Sequence, residues 1–306
     1  MVVKEDLLAN ISACGIEQVH CDELLSRHTT WKIGGPADIL VVPNNKESLM
    51  RLVHSLHTNE IPMVIIGRGS NLLAPDEGFR GVVIKISAAG FNYLQLEENH
   101  AIVGSGHSTI SLATIVSRKG LHGLEFAGGI PGNIGGAVYM NAGAHDSDMS
   151  QVVLQAEILS LSGELLTLSN EELAFAYRSS ILHHDLPGIV LEATFALTPG
   201  SPEQISANLN AFKEYRKQTQ PWQAPTAGSV FRNPDGTYAA KLIEDVGLKG
   251  YNIGGAVISD VHANFMVNQG GATADDIRRL IDHVQAEVFK QHGIRLETEV
   301  KLLGNA

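Results

Sequence analysis

Five glycines fall within nine residues, at Gly128, Gly129, Gly132, Gly135 and Gly136, with Ile130 and Pro131 among them and Ala137 directly after. Each glycine inside an ordered element costs about 0.5–1 kcal/mol relative to alanine, so such a stretch is a poor packing element by itself. Two uses offset that cost: a backbone cradle for a ligand, or a crossover at which chain segments pack closely. A shorter cluster reads Gly67-Arg68-Gly69-Ser70-Asn71, directly after the apolar run 63–66. Small residues at a strand end turn sharply and aim backbone N–H groups at an anion, with the Arg68 and Ser70 side chains as further donors. A plain tight turn accounts for the same residues. The loop is not a Rossmann fingerprint, because Leu72 stands in place of the third glycine and Pro75 prevents the helix that should open there. Together the two loops predict a cradle for a diphosphate-bearing cofactor.

With 306 residues, 44% hydrophobic and 18% charged, the chain can bury two or three cores, and disorder is excluded. Its formal net charge of -11 argues against nucleic acid or an anionic membrane surface as a partner. Any anionic ligand must therefore be held locally. Cys14 and Cys21 make neither a disulfide framework nor a zinc pair, which predicts reduced thiols and a cytosolic protein. No apolar run approaches the roughly 18 residues that cross a bilayer, and residues 1–10 carry Lys4, Glu5 and Asp6 without a signal-peptide core. A cytoplasmic location is the expectation. His183-His184-Asp185 lacks a third ligand at regular spacing, and adjacent side chains diverge in extended chain, so no metal site is expected.

Branched apolar runs bounded by Pro or Gly predict strands at 38–42, 63–66 and 82–86. Between the first two, Leu49, Leu52, Val53 and Leu56 follow helical spacing, and Asn44 with Glu47 predicts a capping box. A helix at 109–119 ends on Gly120, and strands are expected at 152–161 and 189–197. Ser201-Pro202-Glu203-Gln204 supplies an N-cap, a first-turn proline and a capping Gln for a helix reaching about 217. Near the end, Ile277, Leu280, Ile281, Val284 and Val288 form one stripe of a helix at 275–291, followed by a strand at 294–303. Without regular βαβ alternation, the fold class is α+β. The expected organisation is a helical segment at 1–30, a domain at 31–199 split near 88, and a C-terminal domain at 200–306, with the boundary near Pro199.

Six stretches, in order, carry a family resemblance. They are Thr29-Thr30-Trp31-Lys32-Ile33-Gly34-Gly35-Pro36-Ala37, the 67–71 loop, Gly129-Ile130-Pro131-Gly132, Tyr177-Arg178-Ser179-Ser180, Ala227-Gly228-Ser229-Val230-Phe231 and Leu296-Glu297-Thr298-Glu299-Val300. Over nearly the whole chain this order resembles UDP-N-acetylenolpyruvoylglucosamine reductase, the bacterial MurB family. The resemblance implies a two-part FAD-binding unit of the vanillyl-alcohol-oxidase (PCMH) type, followed by a C-terminal α+β substrate domain. It implies noncovalent FAD, since the first loop offers Ser70 where covalent members of the wider fold carry histidine. NADPH as hydride donor, a UDP-sugar substrate, a product of UDP-N-acetylmuramate for peptidoglycan synthesis and a monomeric enzyme are implied as well. The segment 178–229 is too short for the tyrosine-bearing substrate loop of one subgroup, so the chain is similar to the second subgroup.

Reducing an enolpyruvyl carboxylate requires hydride at one alkene carbon, a proton at the other, and stabilisation of the enolate between those events. By resemblance Ser229, in the small-residue turn 225–229, is the proton donor. A serine hydroxyl is far too weak an acid unaided, so a cation or a water must assist it. Arg178 offers a planar guanidinium for the substrate carboxylate, although a plain surface arginine reads the same way. Strand alternation puts Arg295, Glu297, Glu299 and Lys301 on one face and cannot choose between the glutamates. The family's Glu-Val pair matches Glu299-Val300 and implies that Glu299 orients or assists protonation. Lys301 stands where an arginine is common in the family, retaining charge without the fork. Asn233 and Lys241 are candidate UDP-sugar contacts, although each also reads as an ordinary turn or first-turn helix residue, and Tyr177 is a candidate aromatic neighbour of the substrate or flavin or else fills core. Two rival readings remain: an alcohol or lactone oxidase of the same flavin fold, and a noncatalytic nucleotide-sugar binding protein.

Overall fold

A computed structural model describes residues 4–304. The chain forms two compact units: one takes the stretches up to 21, 39–67 and 81–214, and the other takes 22–38, 68–80 and 215 onward. Among the described residues, no helix is long and apolar enough to cross a membrane.

The first unit opens on α1 (Lys4–Ala13), β1 (Gln18–Leu24), β2 (Pro36–Val42), α2 (Lys46–Thr58), β3 (Met63–Ile66) and β4 (Phe79–Lys85). Its first sheet has the order β1-β2-β4-β3, with β3 and β4 parallel from Met63↔Val82 to Ile66↔Lys85. On α2 the apolar stripe Leu49, Leu52, Val53 and Leu56 is buried among Ile39, Val41, Val82 and Ile84, as its spacing predicts. The cap lies one residue later than expected. Asn45, not Asn44, accepts the Ser48 N–H at 2.8 Å, while Glu47 pairs with Arg51. Residues 1–30 are not helical throughout: Gly15, at φ 80°, follows the end of α1, and β1 begins three residues later.

A second sheet in this unit is built from β5 (Leu94–Glu97), β6 (His100–Gly104), β7 (Val153–Ser160), β8 (Leu165–Ser169) and β9 (Gly188–Ala196). Its order is β8-β7-β9-β6-β5, antiparallel throughout. Residues 86–93 connect the two sheets, and the compact division keeps both within one unit. Between β6 and β7 run α3 (Thr109–Arg118) and the short α4 (Ile134–Tyr139). Helix α3 ends where Gly120 turns left-handed at φ 73°. After β9, α5 (Pro202–Thr219) begins with Ser201 Oγ accepting the Gln204 N–H at 3.3 Å. Its Leu209 belongs to this unit's core, and Lys213 Nζ donates to Thr114 Oγ1 at 3.0 Å. These contacts carry the compact division to residue 214, inside the helix, rather than to Pro199.

The second unit contains α6 (Ala239–Asp245), an antiparallel sheet β10-β11-β12 (Asn252–Ile253, Ala256–Ile258, Met266–Asn268), and α7 (Ala274–His292). Two carboxylates satisfy the opening N–H groups of α7. Asp276 and Thr273 form a capping box, and Asp76 accepts from Ala274 at 2.8 Å and Asp275 at 3.0 Å. The stripe Ile277, Leu280, Ile281, Val284 and Val288 is buried, each side chain contributing about 1.5–3 kcal/mol. Trp31 is fully buried here, donating Nε1–H to the Met266 carbonyl at 2.7 Å, while Asn268 Nδ2 donates to the Trp31 carbonyl at 2.9 Å.

The expected strand at 294–303 is reduced to Lys301–Leu302, parallel to Leu72–Leu73, plus a bridge from Thr298 to Phe231. Leu296 and Val300 are buried as alternation requires, but Leu302 is 50% exposed and Leu303 is buried. The partner strand is only two residues long, and it is too short to sustain the alternation.

Candidate functional site

In the first unit the long glycine cluster is stitched to the loop that follows β6. Ser108 bridges Asn133, Thr109 N–H donates to the Gly132 carbonyl at 3.2 Å, and Ile134 N–H and Gly135 N–H reach the carbonyls of His107 and Ser105 at 2.9 Å each. Asn133 Nδ2 donates to the Gly106 carbonyl. A Cβ on Gly67 would stand 2.9 Å from Asn133 Oδ1, so the first residue of the short glycine loop also lies here. Four side-chain atoms of this strip are buried without a hydrogen-bond partner: Ser105 Oγ, His107 Nε2, Thr109 Oγ1 and Asn133 Oδ1. Each such atom costs about 1–3 kcal/mol when left unpaired.

His107 has a defined tautomer. Its Nδ1 lies 2.6 Å from Asn92 Oδ1, an acceptor, so Nδ1 carries the hydrogen and Nε2 offers a lone pair. Burial pushes the imidazole pKa below its usual value and keeps the ring neutral.

The glycines of the cluster serve different ends. Leu209 occupies the space a Cβ on Gly128 would need, and Gly135 faces Ser105. Gly129 and Ala137 are buried, and Ile130 packs against the core. Gly136 differs: it is exposed in α4, and beyond its chain neighbours and its own helix backbone no described atom lies within 4 Å of its would-be Cβ. Alanine would fit and would favour the helix by roughly 1 kcal/mol. Nothing among the described residues requires glycine at this position, and the open space leaves room for a ligand to approach the backbone. Together with the strip of unpaired polar atoms, the open face at Gly136 fits a large polar cofactor such as FAD.

Arg178 is held by the same unit. Residues Ala176 and Ser179 exchange two 3.0 Å backbone bonds, making Tyr177 and Arg178 the tip of a tight turn. Asn141 Nδ2 fastens that turn through the Ala176 carbonyl at 3.0 Å, and Arg178 Nη2 donates to the Gly143 carbonyl at 2.9 Å. Arg178 sits at φ 55°, uncommon for a residue with a long side chain, and its guanidinium lies 5.0 Å from the Tyr177 ring centroid. Backbone strain of this kind concentrates at functional turns. The turn is tied to residues 139–143, immediately after the glycine cluster, since Ser180 Oγ also donates to the Tyr139 carbonyl at 2.7 Å.

Residues 68–71, Ser229, Asn233, Lys241 and Glu299 belong to the second unit. Ser229 bridges Phe265, Val230 N–H donates to the Asn264 carbonyl at 2.9 Å, and the buried Asn264 side chain brackets both backbone groups of Phe231. Glu299 N–H donates to the Val230 carbonyl at 2.8 Å, so Ser229 and Glu299 lie on adjoining, hydrogen-bonded segments. Asn71 Nδ2 reaches the Glu299 carbonyl at 3.2 Å. Glu299 is half-buried and Glu297 exposed, a distinction that alternation could not draw.

Gly69 is required by the fold. At φ 64°, its Cβ would run into the His28 carbonyl and Thr29 Cα, and its own carbonyl accepts the Thr30 N–H at 3.1 Å. Arg68 is exposed and Ser70 half-buried. Asn233 Oδ1 accepts the Ala239 N–H at 3.1 Å at the start of α6, and Lys241 is exposed on that helix. Lys301 is exposed as a whole residue, but partial desolvation of its ammonium, with the nearby Arg232 charge, pushes its pKa below the ordinary value. Sequence reasoning missed Ser105, His107, Thr109 and Asn264; the glycine pair at 104–106 was the only signal for the first three.

The first unit therefore has the architecture of an FAD-binding protein. The FAD binding domain family matches residues 37–169, and berberine bridge enzyme from Eschscholzia californica shares the fold at a TM-score of 0.50, with 14% identity, covering 76% of this chain and 53% of that one. The C-terminal domain family of UDP-N-acetylenolpyruvoylglucosamine reductase matches residues 220–303. Reductases of that name from Halalkalibacterium halodurans and Bacillus subtilis are 50% and 48% identical over 300 residues, covering 98% of this chain and 99% of each relative. The crystal structure of UDP-N-acetylenolpyruvylglucosamine reductase (MurB) from Thermus caldophilus aligns at a TM-score of 0.82 and 36% identity, covering 94% of this chain and 99% of that one. The chain belongs to the UDP-N-acetylenolpyruvoylglucosamine reductase family.

Proposed function

We propose that this protein reduces the enolpyruvyl group of UDP-N-acetylenolpyruvoylglucosamine to UDP-N-acetylmuramate, with noncovalent FAD as cofactor and NADPH as hydride donor, in the cytoplasmic synthesis of peptidoglycan precursor. The observation carrying this reading is the near-full-length family match, which spans the Arg178, Ser229 and Glu299 motifs together with both glycine loops. A flavin oxidase would share the loops without needing the distal trio, and a noncatalytic binder would not need Ser229.

The residues proposed to hold FAD are 67–71 and the cluster 128–137, joined by Ser105, His107, Thr109 and Asn133. Bound FAD supplies two-electron redox chemistry, taking hydride from a nicotinamide and giving it to an alkene carbon. Arg178 pairs with the substrate carboxylate and stabilises the charge that develops as hydride arrives. The Ser229 hydroxyl delivers a proton to the other alkene carbon, so one hydride and one proton together saturate the double bond. Glu299 orients Ser229, while Asn233, Lys241 and Tyr177 contact the UDP-sugar.

Separate half-reactions test the roles. In Ser229→Ala, flavin reduction by NADPH is expected to survive, while reoxidation by the UDP-sugar slows by about 10²–10⁴-fold. Equal damage to both halves would remove Ser229 from proton transfer.

A further inference from the structure

Away from the glycine strip, the first unit carries a recess of about 370 Å³, walled by residues 122–126, by the turn after Ala144 and by α5. None of the residues proposed to hold FAD or to act in the reduction lines it. One wall is built around a buried carboxylate. Glu125 is only 4% exposed, and both its oxygens are engaged: Oε1 lies 2.6 Å from His122 Nδ1, and Oε2 accepts the Gly123 N–H at 2.8 Å. The carboxylate takes the Nδ1 hydrogen, which leaves Nε2 of the neutral ring as an acceptor. A short antiparallel ladder pairs His122 with Thr198 and sets the two side chains next to each other.

Another wall is aromatic. The turn joining Ala144 to Ser147 has its two central residues, His145 and Asp146, at φ 54° and 60°. Such a turn normally takes Asn-Gly, because larger side chains are strained there. Here it lays the His145 ring flat against Phe212 of α5, with centroids 4.0 Å apart and planes 12° from parallel. Asn208 stands one helical turn before Phe212 on the same face of α5. Asn208 and Thr198 are exposed, and among the described residues neither side chain makes a hydrogen bond.

The walls select a ligand by what they offer and by what they lack. No lysine or arginine lines the recess, and a carboxylate stands in one wall, so a phosphate or carboxylate ligand finds no partner for its charge. The available polar groups are one acceptor, His122 Nε2, and two that both donate and accept, the Asn208 amide and the Thr198 hydroxyl. Phe126, Val152 and Phe212 supply apolar surface between them. A sugar ring has the complementary surface, with apolar C–H faces and an edge of hydroxyls that each donate and accept. The volume lies within the range of small-ligand pockets, which begins at roughly 300 Å³. We propose that this recess binds a neutral sugar of monosaccharide size, at a site separate from that of the reduction.

Ligand-observed NMR on the FAD-loaded protein tests this, with glucose, galactose, mannose and N-acetylglucosamine as probes and saturating UDP present to fill the nucleotide-sugar site. At least one of the four is expected to bind, and glucuronate to bind at least about tenfold more weakly than the best of them. Asn208→Ala and Thr198→Val should each weaken that sugar by about five- to tenfold, at unchanged thermal stability and unchanged reductase turnover. Both positions are exposed, whereas a change at His122 would strand the buried Glu125 carboxylate. Binding by none of the four sugars, or parent-like binding in both variants, would overturn the proposal. So would tighter binding of glucuronate or nicotinamide than of every neutral sugar. A sugar that binds only when UDP is omitted occupies the nucleotide-sugar site, and this too would overturn it. Absence of turnover in the parent protein would instead overturn the reductase reading and leave the sugar titration standing.

Discussion

Gly69 and Gly136 look alike in the sequence and are retained for opposite reasons. Gly69 is locked by its own protein: a left-handed backbone with the His28 carbonyl where a Cβ would go. Gly136 sits in a helix with open space around it. The first glycine is a requirement of folding, and the second leaves open space into which the proposed flavin would fit. Glycine-rich loops therefore need to be divided residue by residue before they are read as ligand cradles.

Substitution should expose the difference. Gly69→Ala has the largest expected effect, about 3 kcal/mol of lost stability or more from left-handed strain plus collision with backbone, measured by denaturant unfolding of the apoprotein. Near-parent stability would show that the 28–30 segment moves aside. Gly128→Ala should cost about 1–3 kcal/mol by overpacking Leu209, again without needing the cofactor to reveal it. For Gly136→Ala the sign reverses: the apoprotein should gain up to about 1 kcal/mol, while its FAD affinity, followed by flavin fluorescence, falls at least about tenfold. Undiminished FAD binding in that variant would leave Gly136 without its proposed purpose.

The smallest effect concerns His107. Its folded pKa lies below the unfolded value, so between the two the unfolded chain binds more protons and stability falls as pH drops below about 6.5. His107→Gln should remove that part of the slope, at most about 1.4 kcal/mol per pH unit, in unfolding measurements between about pH 5 and 8. Identical slopes in the parent and the variant would mean that the imidazole protonates freely in the folded state.

Elements with a long period were legible from the sequence. The stripe on α7 and the run on α2 are buried as their spacing requires, because one helical face meeting one core is a local property. What escaped depended on distant partners. Gly69 is explained by His28, Glu299 is distinguished from Glu297 by burial and by Asn71, and α5 joins the first unit because Leu209 packs in its core. Ser105, His107 and Thr109 are small or polar residues with no motif of their own, and only the chain alongside Asn133 reveals them as a strip. Trp31 was visible as a motif residue, but its role as a tie to Met266 was not.

The central claim is that both glycine loops serve a flavin that passes electrons from a nicotinamide to an enolpyruvyl sugar. An anaerobic titration tests this most directly. NADPH should bleach the flavin band near about 450 nm, and UDP-N-acetylenolpyruvoylglucosamine should restore it with one UDP-N-acetylmuramate formed per flavin. A flavin that remains reduced with that sugar but is rapidly reoxidised by oxygen would contradict the account.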